Sequence, residues 1–276
     1  MPVSHIPFHY FGDHFVVVPC HLDGSVAARL ILDTGAGVTA LSNSLLNRLG
    51  HKPTGRSYTG RRMSGQALSI PLTTVDSISL DGFQRDQLTV GTFDFGDLLT
   101  GPQSVDGILS LGVFERDPVT EDHGARSLTI EDEDSMERRV RYGSVVTADV
   151  RKDDPSIDVF VKLRLPSDSL ALVEVDTGSY DLILHERYMR ELGVAQEGPG
   201  VKRVDGVDET GHRYVRYSAR LEGEISLPEA PTVRQRDPAV IFQDIIYDGL
   251  VGHAFLNRYA VTYDLPRARM IFSDPA

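Results

Sequence analysis

The stretch RLILDTGAGVTALS, residues 29–42, sets Asp33, Thr34 and Gly35 between two apolar runs. The arrangement returns at ALVEVDTGSYDLIL, residues 171–184, around Asp176, Thr177 and Gly178. A carboxylate between two segments that read as buried strand is costly unless a neighbour satisfies it, so such an acid usually has a task. A single Asp-Thr-Gly triplet in a chain of this length is a weak signal. The fold turns on whether the two stretches are unrelated or a pair.

They are a pair. With Asp176 laid over Asp33, an offset of 143 residues, VVV at 16–18 falls on VFV at 159–161, and Gly50 meets Gly193 without a gap. VDGILSLGVF at 105–114 falls on YDGLVGHAFL at 247–256 at an offset of 142. PVTEDHGARSLTI at 118–130 then falls on AVTYDLPRARMIF at 260–272, with Asp122 over Asp264. Matched blocks in the same order make an internal duplication, and a duplication fixes architecture before any one motif does.

Each unit reads mostly as short strands, such as HFVVVPCHL, RLILDT and DVFVKLRL, bounded by Gly, Pro, Asp or Ser. That pattern predicts a compact β-barrel per unit. One short helix per unit is expected, SNSLLNRL before Gly50 and HERYMREL before Gly193, with glycine as the stop. The division is a first lobe at 1–130, a charged surface linker at 131–156 with a strand somewhere in RRVRYGSVVTADV, and a second lobe at 157–276.

The paired loops resemble those of the aspartic proteases, in particular the retropepsin-like kind, and the resemblance covers nearly the whole chain. GILSLG at 107–112 and GLVG at 249–252 are similar to the apolar-apolar-Gly segment that follows each loop in that family. The resemblance implies an all-β fold of two acid-protease-type barrel lobes related by a pseudo-twofold axis. Asp33 and Asp176 would meet on that axis, share a proton and hold a water. Thr34, Gly35 and Ala36, with Thr177, Gly178 and Ser179, would form the supporting loops, the two threonines bonding across the axis. Two carboxylates at contact distance cannot both ionise, so one can act as base and the other as acid, and the expected activity is aspartic-type endopeptidase. Ser179 can bond its aspartate where Ala36 cannot, and Ser110 stands where the second unit has Gly252.

The family also closes a β-hairpin flap over its cleft. RSYTGRRMSGQALSI at 56–70 offers Tyr58, Thr59 and Gly60; KRVDGVDETGHRYVRY at 202–217 offers Asp205, Gly206 and Val207. Both have the glycine-rich turns of a hairpin. Arg61 and Arg62 at one tip, against Asp208 and Glu209 at the other, suggest tips that pair over the cleft.

Composition narrows the rest. The net charge of −12 argues against nucleic acid and anionic membrane as partners, and otherwise speaks to solubility. No run is long enough to span a bilayer and the opening residues lack a secretory pattern, so a cytoplasmic location is expected. A lone cysteine, Cys20, excludes an internal disulfide and reads as an ordinary buried residue. GAGVTA at 35–40 fits a dinucleotide fingerprint, but GSYDLI in the second unit lacks the second glycine and no acid follows at the required distance. His5, His9 and His14 flank Pro7 in an extended segment and read as structural. No metal or cofactor is expected. The partner is a protein or peptide substrate, and two lobes in one chain need no obligate oligomer. The alternative is a peptide-binding scaffold or sensor that uses the same cleft without turnover.

Overall fold

In the computed structural model, which describes residues 3–51, 54–94, 104–207 and 211–276, the apolar runs around each triplet are strands that stop at the aspartate. Val26–Leu32 and Leu170–Val175 enter the two loops, and Ala40–Ser42 and Leu182–His185 leave them. The apolar-glycine segments form a third strand in each lobe. Gly107–Leu109 runs parallel to the entering strand (Leu30↔Gly107) and antiparallel to the leaving one (Ala40↔Ile108). Gly249–Val251 repeats this with Val173↔Gly249 and Ile183↔Leu250. A Cβ on Gly107 would lie 2.3 Å from the Ala40 carbonyl oxygen, and one on Gly249 would lie 2.5 Å from that of Ile183. The strand can be inserted only where it begins with glycine.

Among the described residues these strands belong to an eight-stranded sheet in the first lobe and a ten-stranded sheet in the second. In the first, Phe15–Leu22 pairs with Val26–Leu32 and also, through His21↔Ser79 and Leu22↔Ile78, with the long strand Ala67–Leu80, which closes the sheet on itself. The architecture is all-β and two-lobed, with helices few and short. Asn43–Leu49 is capped by the Ser42 hydroxyl, which accepts from Leu45 N–H, and is stopped by Gly50 at φ 72°. Its counterpart shrinks to the single turn Tyr188–Glu191.

A third sheet, of six strands, is shared between the lobes in the order Ser4–Pro7, Ser127–Ile130, Val119–Asp122, Ala260–Asp264, Arg269–Ser273, Ser144–Thr147. Its centre pairs one repeat with the other: Thr120 faces Thr262 in register, with the hydroxyls 2.7 Å apart. The sequence expectation of two barrels joined by a surface linker did not include this sheet. Residues 131–156 also differ from that expectation. They hold a helix, Glu133–Tyr142, opened by a capping box between Asp132 and Ser135, and two strands, Ser144–Thr147 and Asp149–Asp153. The helix is tied back by Arg139, which donates to the buried Glu131 carboxylate at 2.9 Å. It buries little beyond Met136, so it left no apolar periodicity to read.

Most of the buried apolar residues of both lobes form one continuous core, and Cys20 lies in it. Burial pushes its thiol up to about 12, so no thiolate forms at ordinary pH. Beside the shared sheet sits a buried polar cluster. Glu121 accepts from the Tyr263 hydroxyl at 3.2 Å, and its other oxygen lies 3.3 Å from His123 Nε2. His123 also meets the Tyr10 hydroxyl at 2.8 Å and packs edge-on against His253. Burial pushes the Glu121 carboxyl from 4.5 up to about 7 and both histidines from 6.5 down to about 4.

A carboxyl whose folded pKa is raised stabilises the fold fully below its unfolded value, and that contribution is lost as pH rises through the folded value. Replacing Glu121 by Gln keeps an acceptor for Tyr263 and removes the titration. The melting temperature of Glu121→Gln relative to wild type should therefore climb between about pH 4.5 and 7, by on the order of several degrees. A difference that stays flat across that window, measured by thermal unfolding, would contradict the burial argument.

Candidate active site

The two aspartate loops meet at the lobe boundary because each entering strand delivers its aspartate to the same point. Asp33 N–H donates to the Leu109 carbonyl and Asp176 N–H to the Val251 carbonyl, each at 3.0 Å. Each inserted strand thus pins its own loop. The loops are then locked together by the threonines. Thr34 N–H donates to Thr177 Oγ1 at 3.1 Å and Thr177 N–H to Thr34 Oγ1 at 3.0 Å. The hydroxyls pass their own protons across the boundary, Thr34 to the Val175 carbonyl at 2.7 Å and Thr177 to the Leu32 carbonyl at 3.2 Å. All four bonds cross between lobes and both threonines are buried.

This crossing brings the two carboxyl groups into hydrogen-bonding contact. Gly35 and Gly178 are required by the close approach. A Cβ on Gly35 would lie 2.5 Å from Asp176 Oδ1, and one on Gly178 would lie 2.6 Å from Asp33 Oδ2. Asp33 Oδ1 accepts from Gly35 N–H at 3.0 Å and Ala36 N–H at 3.2 Å. Asp176 accepts from Gly178 N–H at 2.9 Å and from the Ser179 hydroxyl at 2.6 Å. Asp33 has no hydroxyl donor at the matching Ala36, and burial, then the charge of Asp176 and the bond to it, push its pKa upward. Two acids so placed can share a single proton.

Above the pair lies a cleft of about 760 Å³. Its walls include Asp33, Gly35, Ala36, Asp176, Gly178 and Ser179 from the loops, and Tyr58, Thr59 and Gly60 from the first hairpin. Thr34 and Thr177 are behind the loops and do not line it. The hairpin pairs Ser57–Arg61 with Ala67–Leu80 and reaches over the cleft to the second lobe, where the Met63 carbonyl accepts from Ile246 N–H at 2.9 Å.

The second hairpin lies elsewhere. Lys202–Val207 pairs with Arg213–Arg220 at the edge of its sheet, Val204 and Val207 are exposed, and Asp205, Gly206 and Val207 are not among the cleft's lining residues. Arg61 donates to the Gly65 carbonyl within its own turn; Asp208 and Glu209, the expected partners of the first tip, lie outside the described residues.

Ser110 is accounted for by its neighbours. Its N–H donates to the Thr39 hydroxyl and its own hydroxyl accepts from Gly112 N–H. At the matching Gly252 a Cβ would lie within 2.8 Å of three carbonyl oxygens, those of Ser179, Tyr180 and Asp181. The histidines of the opening segment are dispersed: His5 bonds Thr129, and His14 stacks on Phe15 near the Gly178 carbonyl. Residues that the sequence did not single out also line the cleft, among them Phe15, Asp158, Glu174 and Tyr247. The offset that aligns the aspartates places acidic Glu174 on Ile31 and Asp158 on Phe15, a signal that was available.

Residues 18–113 match the family described as aspartyl protease, a span that holds the first triplet, the first hairpin and GILSLG. No curated protein matches the chain. Among solved structures, edgp is similar at 11% identity over 99% of this chain and 95% of that one, with a TM-score of 0.60. Basic 7S globulin from soybean is similar at 11% identity over 98% and 96%, with a TM-score of 0.58. Conglutin gamma, a basic 7S globulin from lupine seeds, is similar at 12% over 99% and 95%, with a TM-score of 0.55. At such identities the likeness is one of fold, and it extends over both lobes: the chain has an aspartic-protease-like scaffold.

Replacing Thr34 or Thr177 by Val removes two bonds and strands a buried N–H and a carbonyl of the opposite lobe. Each change should destabilise the protein by ~1–3 kcal/mol in denaturant unfolding. The double variant should lose less than the sum, because both act on one network. Strict additivity would mean that the two sides are not coupled.

Proposed function

We propose that the protein is an aspartic endopeptidase that hydrolyses peptide bonds with water activated between Asp33 and Asp176. The observation that carries this reading is the hydrogen-bonded pair of carboxyl groups at the base of a roofed cleft. Asp176, which accepts from the Ser179 hydroxyl, takes a proton from the water as its oxygen attacks the substrate carbonyl. Asp33 donates its proton to the developing oxyanion, which is stabilised by a group already in place. Asp176 then passes the water-derived proton to the leaving nitrogen as the C–N bond breaks, and the diol hydroxyl returns its proton to Asp33 as the product carboxyl forms, which restores the single shared proton. Thr34 and Thr177 fix the distance between the acids, and Gly35 and Gly178 leave room for it.

Both acids come from one chain, which supports a monomer as the working unit. The DTGA form of the first loop and a hairpin following soon after it support a retropepsin-like assignment. The cleft runs between the lobes beneath the hairpin and suits an extended protein or peptide segment once the hairpin lifts, the substrate class that the mechanism requires. Tyr58, Thr59 and Gly60, which overhang the pair, are the hairpin residues placed to meet it.

Cleavage of an unstructured protein such as casein should be blocked by a statine-type inhibitor and reduced by at least about a thousandfold in Asp33→Asn and in Asp176→Asn. Circular dichroism would verify that both remain folded. Wild-type rates in both would end the peptidase reading and leave a binding scaffold.

The pH profile is a separate test. The pair works with one proton, and activity falls as pH rises through the value at which Asp33 loses it, a value that burial and Asp176 move upward. The optimum should therefore be less acidic than that of the pepsin type, and a rate that peaks near pH 2 would refute the charge assignment.

A further inference from the structure

The two halves of the cleft occupy equivalent positions in the repeat but differ in chemistry. In the first lobe, Val17 pairs with Ile31, and these two with Val105 make a small apolar cluster against which Phe11 and Phe15 pack. In the second lobe the equivalent pair is Phe160 and Glu174, Asp158 stands where Phe15 was, and Tyr247 where Val105 was. Ile31 and Glu174 each precede the aspartate of their lobe by two residues, so on a strand they share its face and line the cleft on opposite sides of the pair. The fold accepts isoleucine at this position in one lobe. It does not need an acid in the other.

Glu174 is 4% exposed and lies in the cleft wall, and its carboxyl makes no hydrogen bond or ion pair with any described residue. A buried carboxyl with no partner is unfavourable and calls for a ligand that would satisfy it. Asp158 shares the wall and accepts one bond, from the Ser156 hydroxyl at 3.1 Å. Asp153 lines the same side. On the neighbouring strand, Arg151 is already engaged: its guanidinium lies 4.0 Å from the Phe160 ring centroid and pairs with Asp149 at 2.9 Å. Arg61 and Arg62 of the hairpin border the cleft. Tyr58 and Tyr247 complete the set of polar groups around the acid.

We propose that Glu174, with Asp158, forms a pocket for a basic side chain, so that the preferred substrate carries Lys or Arg on the second-lobe side of the scissile bond and an apolar residue on the other. The proposal rests on the peptidase reading and names the substrate class of the same site. Peptide geometry supports it: with the scissile bond over the acid pair, the side chains flanking that bond fall on the two sides where Ile31 and Glu174 stand. An ammonium or guanidinium would satisfy both carboxyls, and an apolar side chain would leave Glu174 buried and unpaired.

Without a ligand, burial first, then the charges of Asp176, Asp158 and Asp33, push Glu174 up to about 9, opposed by Arg151. Entry of a cation therefore displaces a proton. Affinity for the basic peptide rises with pH toward that value, while turnover falls as Asp33 loses its proton. The two pH dependences run in opposite directions and can be separated.

The test uses peptide pairs that differ only in Lys against norleucine, placed in turn on each side of the cleaved bond. Wild-type protein should favour Lys by on the order of tenfold in kcat/KM at one of the two positions. That ratio should collapse toward one in Glu174→Gln and invert in Glu174→Ile, which copies the first lobe. Because the readout is a ratio within each variant, loss of overall rate does not obscure it. Binding of the same pairs to Asp33→Asn, followed by fluorescence anisotropy, distinguishes the two failures. Cleavage with a Lys/norleucine ratio that Glu174→Gln leaves unchanged would overturn the pocket and keep the peptidase. Lys-selective binding that depends on Glu174, with no cleavage by wild type, would keep the pocket and end the peptidase reading.

Discussion

Two buried carboxyl groups in contact repel unless they share a proton, and they can share one only if something stronger prevents their separation. Here the restraint is the exchange of four hydrogen bonds between Thr34 and Thr177 and the opposite strands. It is reinforced below by the shared sheet, where Thr120 and Thr262 repeat the same side-chain contact across the same axis. The two levels are connected: the Tyr263 hydroxyl, on the strand beside Thr120, bonds both Glu121 and the Thr34 side chain. The geometry of the acid pair is thus held from beneath by polar groups that are themselves buried. Such a network specifies one arrangement where an apolar interface would tolerate several.

Much of this was legible because duplication writes the same constraint twice. The triplets, the glycine-led strands at Gly107 and Gly249, and the helix stops at Gly50 and Gly193 each need a particular residue for a local backbone reason, so they survive comparison of the halves. The shared sheet was not legible. Its strands are short, and its central ones carry Thr120, Glu121, Asp122, Thr262 and Asp264, all buried. Polar residues in short strands read as surface. They are interior here because each finds a partner that sequence alone cannot supply: Asp122 accepts from three backbone N–H groups, those of Gly124, Ala125 and Ala276, and Asp264 pairs with Arg267 and Arg269. The second hairpin illustrates the opposite limit. Its glycines match those of the first, but Lys202–Val207 pairs with Arg213–Arg220 at the edge of its sheet and does not line the cleft.

Symmetry holds the backbone, and departures from it set the chemistry. Ser179 against Ala36 gives Asp176 a hydroxyl donor where Asp33 has a backbone N–H. Ser110 against Gly252 trades close packing for side-chain bonds to Thr39 without moving the strand. Glu174 against Ile31 makes one wall of the cleft acidic and leaves the other apolar. In each case the exchange alters the polar groups on offer, while the strand pairing is the same in both lobes.

The hairpin adds a conformational condition to that chemistry. It lies closed, with the Met63 carbonyl held by Ile246 N–H and the Met63 side chain packed with Ile183, Ile245 and Leu250 of the second lobe. A peptide can enter only if this contact opens. The contact includes one backbone hydrogen bond and the flexible Met63 side chain, together worth on the order of a few kcal/mol, which is within reach of the contacts an extended peptide makes on binding. The segment that holds the hairpin, Ile245 to Tyr247, also supplies Tyr247 to the acidic wall. Opening of the roof and occupation of that wall therefore act on the same three residues. A side chain that fits the wall is in position to influence closure, which then excludes water from the acid pair.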